Sequence, residues 1–270
     1  MHRELTRPRL AADKEWRNAI FDGPPARRVT GRSRHTHRSV IQDPRGADHM
    51  CEGGNEMTAA LLLNHFFRVG LVQRYKFQPF SLDDYGGSQG YPDLLVELYT
   101  GDLVVVEVKS AKYLTAEYLT SFRDRERELI ALGLSAVLWT DKDSQHAYAA
   151  LGPSARNNLL DIERCSRMQA REPVLERLNS QVRSKRTRLA ELLSSSGATW
   201  DDLMFAWSHN YIQGPLKEPL NETTYFHAPA APSDYASYFQ PWAGSASWWG
   251  RLPDLALDQH ERGPRTHRDV

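Results

Sequence analysis

The stretch Tyr91-Pro92-Asp93-Leu94-Leu95-Val96-Glu97-Leu98-Tyr99-Thr100-Gly101-Asp102-Leu103-Val104-Val105-Val106-Glu107-Val108-Lys109 decides how this chain is read. Two apolar, β-branched runs flank Thr100-Gly101, the pattern of a hairpin. Side chains on a strand alternate between faces. Val104, Val106 and Val108 therefore point into a core, and Val105, Glu107 and Lys109 point the other way. With the turn centred near Gly101, Asp93 falls abreast of Glu107 and Lys109 if the register is even. Thirteen residues separate Asp93 from Glu107. Two carboxylates and an ammonium are thus expected at one end of one hairpin.

That set suits phosphodiester chemistry. Magnesium takes oxygen ligands, commonly one or two carboxylates with water and phosphate. Asp93 and Glu107 supply carboxylates, and the Val108 carbonyl is a further candidate ligand. Lys109 can hold an attacking water and meet negative charge as it develops. Glu-x-Lys on a strand is by itself most often a plain ion pair. Pro92-Asp93 ahead of the hairpin, an apolar strand ending abruptly in charge, and an acid, Glu56, opening the preceding helix shift the balance toward a site. An acid in a first helical turn is also favourable for the helix alone. Glu52 is a weaker substitute. Gln78 is read as structural or backbone-bonded, and Lys112 and Glu117 as a solvated helix start.

Outward from the hairpin, Met57, Ala60, Leu61, Asn64 and Phe67 have helical spacing, ended by Gly70. Leu71–Phe80 is extended, and 83–90 is a loop. A helix follows from Leu114 to about Leu132, then a strand over Ser135–Thr140. Helix, three strands, helix, strand is a mixed α/β core. Gly152-Pro153 reads as a boundary. Beyond it, helices are expected at Asn157–Ala170, Val174–Ser194 and Thr199–Tyr211, with a small hairpin, a possible wing, over 215–227. The expected plan is a basic disordered arm (1–50), an α/β domain (51–152), a smaller helical domain (153–227) and an irregular tail (228–270) containing Trp248-Trp249. The arm is expected to be dispensable for folding; a true start near Met50 is the alternative.

The formal net charge is zero, so nucleic acid must be met by local patches. Arg183, Lys185, Arg186 and Arg188 form a run without an acid within it and are candidate phosphate contacts. The chain's two cysteines, Cys51 and Cys165, lack metal-ligand spacing. His35, His37, His65 and His209 stand alone. No apolar run approaches the roughly 18 residues of a membrane span, and no secretion pattern is read. A cytoplasmic protein is expected.

Residues 52–142 resemble the TnsA endonuclease N-terminal domain of heteromeric, Tn7-like transposons, within the PD-(D/E)xK nucleases. The matching pieces are Glu56, Tyr75-Lys76-Phe77-Gln78-Pro79-Phe80, Tyr91-Pro92-Asp93-Leu94, Val105-Val106-Glu107-Val108-Lys109 and Ala136-Val137-Leu138-Trp139-Thr140. Glu107 stands where the family's best-known member has Gln. The resemblance implies a restriction-endonuclease-like mixed sheet flanked by helices, an active-site acid at Glu56, metal ligands at Asp93 and Glu107, and a catalytic lysine at Lys109. It implies Mg²⁺, replaceable by Mn²⁺, and a subunit that cuts the 5′ ends of a transposon. Its implied partners are transposon-end DNA, a DDE transposase and an AAA+ ATPase regulator. A stand-alone restriction or repair nuclease, and a non-catalytic DNA-binding or assembly subunit, are the alternatives.

Overall fold

A computed structural model describes residues 10–27, 38–143 and 147–239. The chain builds α1 (Lys14–Asp22), the strand pair β1 (Arg38–Gln42) and β2 (Asp48–Glu52), then α2 (Gly54–Arg68) and β3 (Val72–Phe77). The hairpin of β4 (Leu94–Leu98) and β5 (Leu103–Val108) comes next, followed by α3 (Ala116–Ala131) and β6 (Ser135–Trp139). The order α2-β3-β4-β5-α3-β6 is the one expected for the α/β core. Its sheet runs β3-β4-β5-β6, antiparallel except for the parallel β5–β6 pair, which α3 connects.

Both faces of this sheet are covered. Tyr75, Phe77, Leu94, Val96, Val104, Val106, Val137 and Trp139 pack with the apolar residues of α2. Leu95, Leu103, Val105, Ala136 and Leu138 pack under Leu119, Phe122 and Leu129 of α3. A strand covered on both sides reads as a continuous apolar run. That explains Leu103–Val106, whose side chains are buried on either face.

The expected disordered arm is corrected over its described residues. Asp13 caps α1 by accepting from the backbone of Glu15 and Trp16. Phe21 is buried in the α3-side core. Arg17 bonds Glu97 at 2.9 Å, and Arg74 grips the same carboxylate from β3. Asn64 of α2 donates to the Gln42 carbonyl at 3.0 Å, tying β1 down. Residues 1–9 and 28–37 of that arm lie outside the described residues.

After Gly152, α4 (Pro153–Cys165), α5 (Glu172–Ser184), β7 (Thr187–Arg188), α6 (Leu189–Ser196), α7 (Trp200–Ser208) and β8 (Tyr225–Phe226) follow. The single helix expected over Val174–Ser194 is two, broken at Lys185 by an extended backbone. The wing is also differently made. β8 pairs with the distant β7, while His227, at the end of the expected hairpin, bridges Gln213 just ahead of it. Gly152-Pro153 starts α4 but does not divide two cores. Leu159, Ile162, Leu203 and Trp207 join the same cluster as α2. Part of the expected irregular tail is ordered as well. Pro232–Phe239 is a 3-10 helix whose Tyr235, Tyr238 and Phe239 are buried, and Trp139 Nε1 donates to the Tyr238 carbonyl at 2.5 Å. Trp248-Trp249 lies outside the described residues.

Candidate active site

The register of β4 against β5 builds the site. Glu97 faces Leu103, Leu95 faces Val105, and Leu94 faces Val106. One further step sets Asp93 opposite Glu107, on the α3 side of the sheet. The row Glu97/Leu103, Leu95/Val105 therefore ends on a pair of acids. The even register left open by the sequence is the one found.

Asp93 is fixed from three directions. Its Oδ2 accepts from the Val108 backbone N–H at 2.8 Å. Its carbonyl accepts from the Gln78 N–H at 2.9 Å. Its carboxyl group is hydrogen-bonded to that of Glu107. Glu107 is 7 % exposed and meets Arg125 Nη1 at 3.2 Å. Burial, then the charge of Asp93, pushes Glu107 up to about 8, and burial raises Asp93 as well. Two adjacent carboxyls in a poorly solvated place share a proton and titrate as a unit.

Glu56, in the first turn of α2, joins the cluster. Its Oε2 accepts from the Glu52 N–H at 2.6 Å. Burial, opposed by that hydrogen bond and reinforced by Asp93, pushes it up to about 7. Glu52 itself is held by Arg27 at 2.9 Å. Lys109 is half-buried, with Nζ 4.7 Å from the Tyr118 ring centre, and its charge acts on both Asp93 and Glu107. Lys112 and Glu117 are exposed, as expected.

Tyr118 and Arg125 were not singled out from the sequence. They sit seven residues apart on α3, on the stripe that carries Leu119, Phe122 and Leu129 toward the sheet. A cation at a sheet-facing position of a helix was the available signal.

No protein-family model matches this chain, and no curated protein does. The chemistry of the site therefore rests on its own residues. Among the described residues, no three His, Cys, Asp or Glu side chains form a ready cage for a metal. Magnesium does not need one, since it keeps several waters and is commonly held by one or two carboxylates. A proton-sharing acid pair is chemically suited to exchange that proton for a divalent cation. The fit is thus to a hard, oxygen-ligated ion at Asp93 and Glu107. Val108, the further candidate ligand, contributes its N–H to Asp93.

The basic run is only partly as expected. Arg186 and Arg188 lie over the exposed ring of Tyr225, with guanidinium carbons 5.4 and 5.6 Å from its centre. Arg188 also donates to the Tyr225 hydroxyl at 2.9 Å. Lys185 instead pairs with Glu191 at 2.8 Å, an acid that folding brings into a run lacking one in sequence. Arg183, exposed, donates to Asn179. Tyr225 was missed because its partner strand is distant along the chain.

Proposed function

We propose that this protein is a metal-dependent DNA endonuclease whose centre is Asp93, Glu107 and Lys109, with Glu56 beside them. The observation that carries this reading is the paired acid step at the end of the β4–β5 row, with Lys109 one alternation beyond Glu107. Such a set has no packing purpose, because burying like charges together costs stability.

Asp93 and Glu107 would hold Mg²⁺ or Mn²⁺. The bound ion would activate water and offset charge on the phosphate. The Val108 N–H keeps the Asp93 carboxylate oriented, and Arg125 does the same for Glu107. Lys109 meets the charge that builds on the phosphoryl oxygens, a contribution to rate more than to ground-state binding. Glu56, titrating near neutrality, is suited to take up a proton from the attacking water. Arg186, Arg188 and Tyr225 would contact the DNA backbone away from the chemistry, with Arg183 and Lys185 flanking them.

The narrower reading follows the TnsA resemblance: a restriction-endonuclease-like fold, and a subunit cutting transposon 5′ ends beside a DDE transposase and an AAA+ regulator. The test is strand cleavage with Mg²⁺ in the presence and absence of those partners. Product ends should carry 5′-phosphate and 3′-hydroxyl. Full cutting by an Asp93→Asn, Glu107→Gln double variant in the complete system would overturn the nuclease reading. Cutting by the purified wild-type chain alone would overturn only the narrower one.

A further inference from the structure

Gln78 ends β3 in a conformation that a residue with a Cβ avoids. Its φ is +45°. Among the described residues, Asn210 is the other non-glycine with positive φ. Asn tolerates that region, and the Asn210 side chain is tied to the Ala230 backbone by two hydrogen bonds. Gln78 has neither excuse. It also precedes Pro79, which favours an extended conformation in the residue before it.

The surroundings hold the strain in place. The Gln78 N–H donates to the Asp93 carbonyl, and its own carbonyl accepts from Ala26, each at 2.9 Å. Two residues on, Phe80 is 2 % exposed and packs against the rings of Trp16 and Tyr85. None of these contacts uses the Gln78 side chain. Glycine would provide the same backbone bonds without strain. The residue as a whole is only 8 % exposed, and its amide is not among the buried polar atoms left without a partner among the described residues, so it is not sealed inside the core. Strain of this kind, kept beside a reactive group, points from geometry to function.

We propose that Gln78 is a substrate-contacting residue whose side-chain amide donates to a non-bridging phosphate oxygen of DNA held at Asp93, Glu107 and Lys109. This rests on the nuclease reading of that centre. Phosphate oxygens accept and never donate. Against Glu56, Asp93 and Glu107, a neutral donor can approach the phosphate without competing with a cation for the carboxylates. A charged lysine or arginine in its place would compete.

The experiment uses the full chain and three variants: Gln78→Gly, Gln78→Glu and Gln78→Asn. Affinity for a fluorescent DNA duplex is measured with Ca²⁺, thermal midpoint by calorimetry, and cleavage with Mg²⁺. Gln78→Gly is expected to raise the midpoint by about 2–4 °C through relief of strain. It should also weaken duplex binding about ten-fold. Gln78→Glu, which keeps the shape but loses the donor, should weaken binding at least as much. Gln78→Asn, which tolerates positive φ and keeps the amide, should restore part of it. Wild-type affinity in Gln78→Gly or Gln78→Glu, or a lowered midpoint in Gln78→Gly, overturns the proposal while leaving the centre's reading intact. If the wild type and an Asp93→Asn variant cut alike, the centre's reading falls instead. The phosphate contact, which rests on that reading, then falls with it.

Discussion

Arg125 of α3 lies 3.2 Å from Glu107 of β5, one cation against an acid that shares its site with a second acid. The guanidinium lowers Glu107, whereas burial and Asp93 raise it, and the net position is about 8. Replacing Arg125 with Met is expected to push that titration higher still. Carboxyl carbon NMR on metal-free protein reads it directly; a midpoint that stayed or fell would show that the ion pair has no hold on Glu107.

The same shifts set a pH dependence of stability. Glu107 and Glu56 rise from 4.5 to about 8 and about 7. Between those limits the folded protein keeps protons that the unfolded chain has lost, so stability falls as pH rises. Metal-free protein should therefore melt lower at pH 8 than at pH 5. Glu107→Gln should flatten the slope, and saturating Mg²⁺ should raise the midpoint most at the alkaline end. A melting temperature that climbs from pH 5 to pH 8 in the absence of metal would contradict this.

Single changes at the centre should act as changes to one unit. Asp93→Asn, Glu107→Gln and Lys109→Met are each expected to cost about three or more orders of magnitude in cleavage rate, with pairs little worse than singles. Circular dichroism should remain that of the wild type. Rates that multiply down across the double variants would argue for independent roles.

The hairpin and the acid pair were legible because alternation and turn position constrain where Asp93 and Glu107 can meet. Arg125 and Tyr225 were not, since their importance comes from contacts made across the fold. Nor was α1. Its burial depends chiefly on Phe21, and its polar grip on Glu97 cannot be seen without the sheet. The continuous core was hidden for a related reason. Gly152-Pro153 looks the same whether it separates domains or merely starts a helix.

That reversal has its own test. Phe21 is 5 % exposed beneath α3, and Arg74 lies 4.3 Å from its ring centre. Phe21→Ala is expected to destabilise the protein by about 3 kcal/mol, the lower end for a buried phenylalanine. In a chain of this size that lowers the melting temperature by roughly 6–12 °C. Unchanged melting would return this segment to the role of a dispensable arm.

The aromatic-basic patch predicts a salt effect. Exchanging Arg186 and Arg188 together for Ala should leave melting nearly unchanged, since both are exposed. It should weaken duplex binding for all sequences alike and lower the slope of log affinity against log salt by about 2. An unaltered slope would remove this surface from the DNA path.

Trp139 donates its indole proton to the carbonyl of Tyr238, and Phe239 packs against the same indole. The strand beside Glu107 is therefore closed by residues made about a hundred positions later. On a ribosome adding about 5–20 residues per second, the hairpin is synthesised several seconds before this covering segment. A nascent chain stalled before Tyr238 would carry every acid of the centre yet leave Trp139 uncovered. Newly made protein should thus complete the packing beside the acid pair late in translation, as the 3-10 turn over Pro232–Phe239 settles against the sheet.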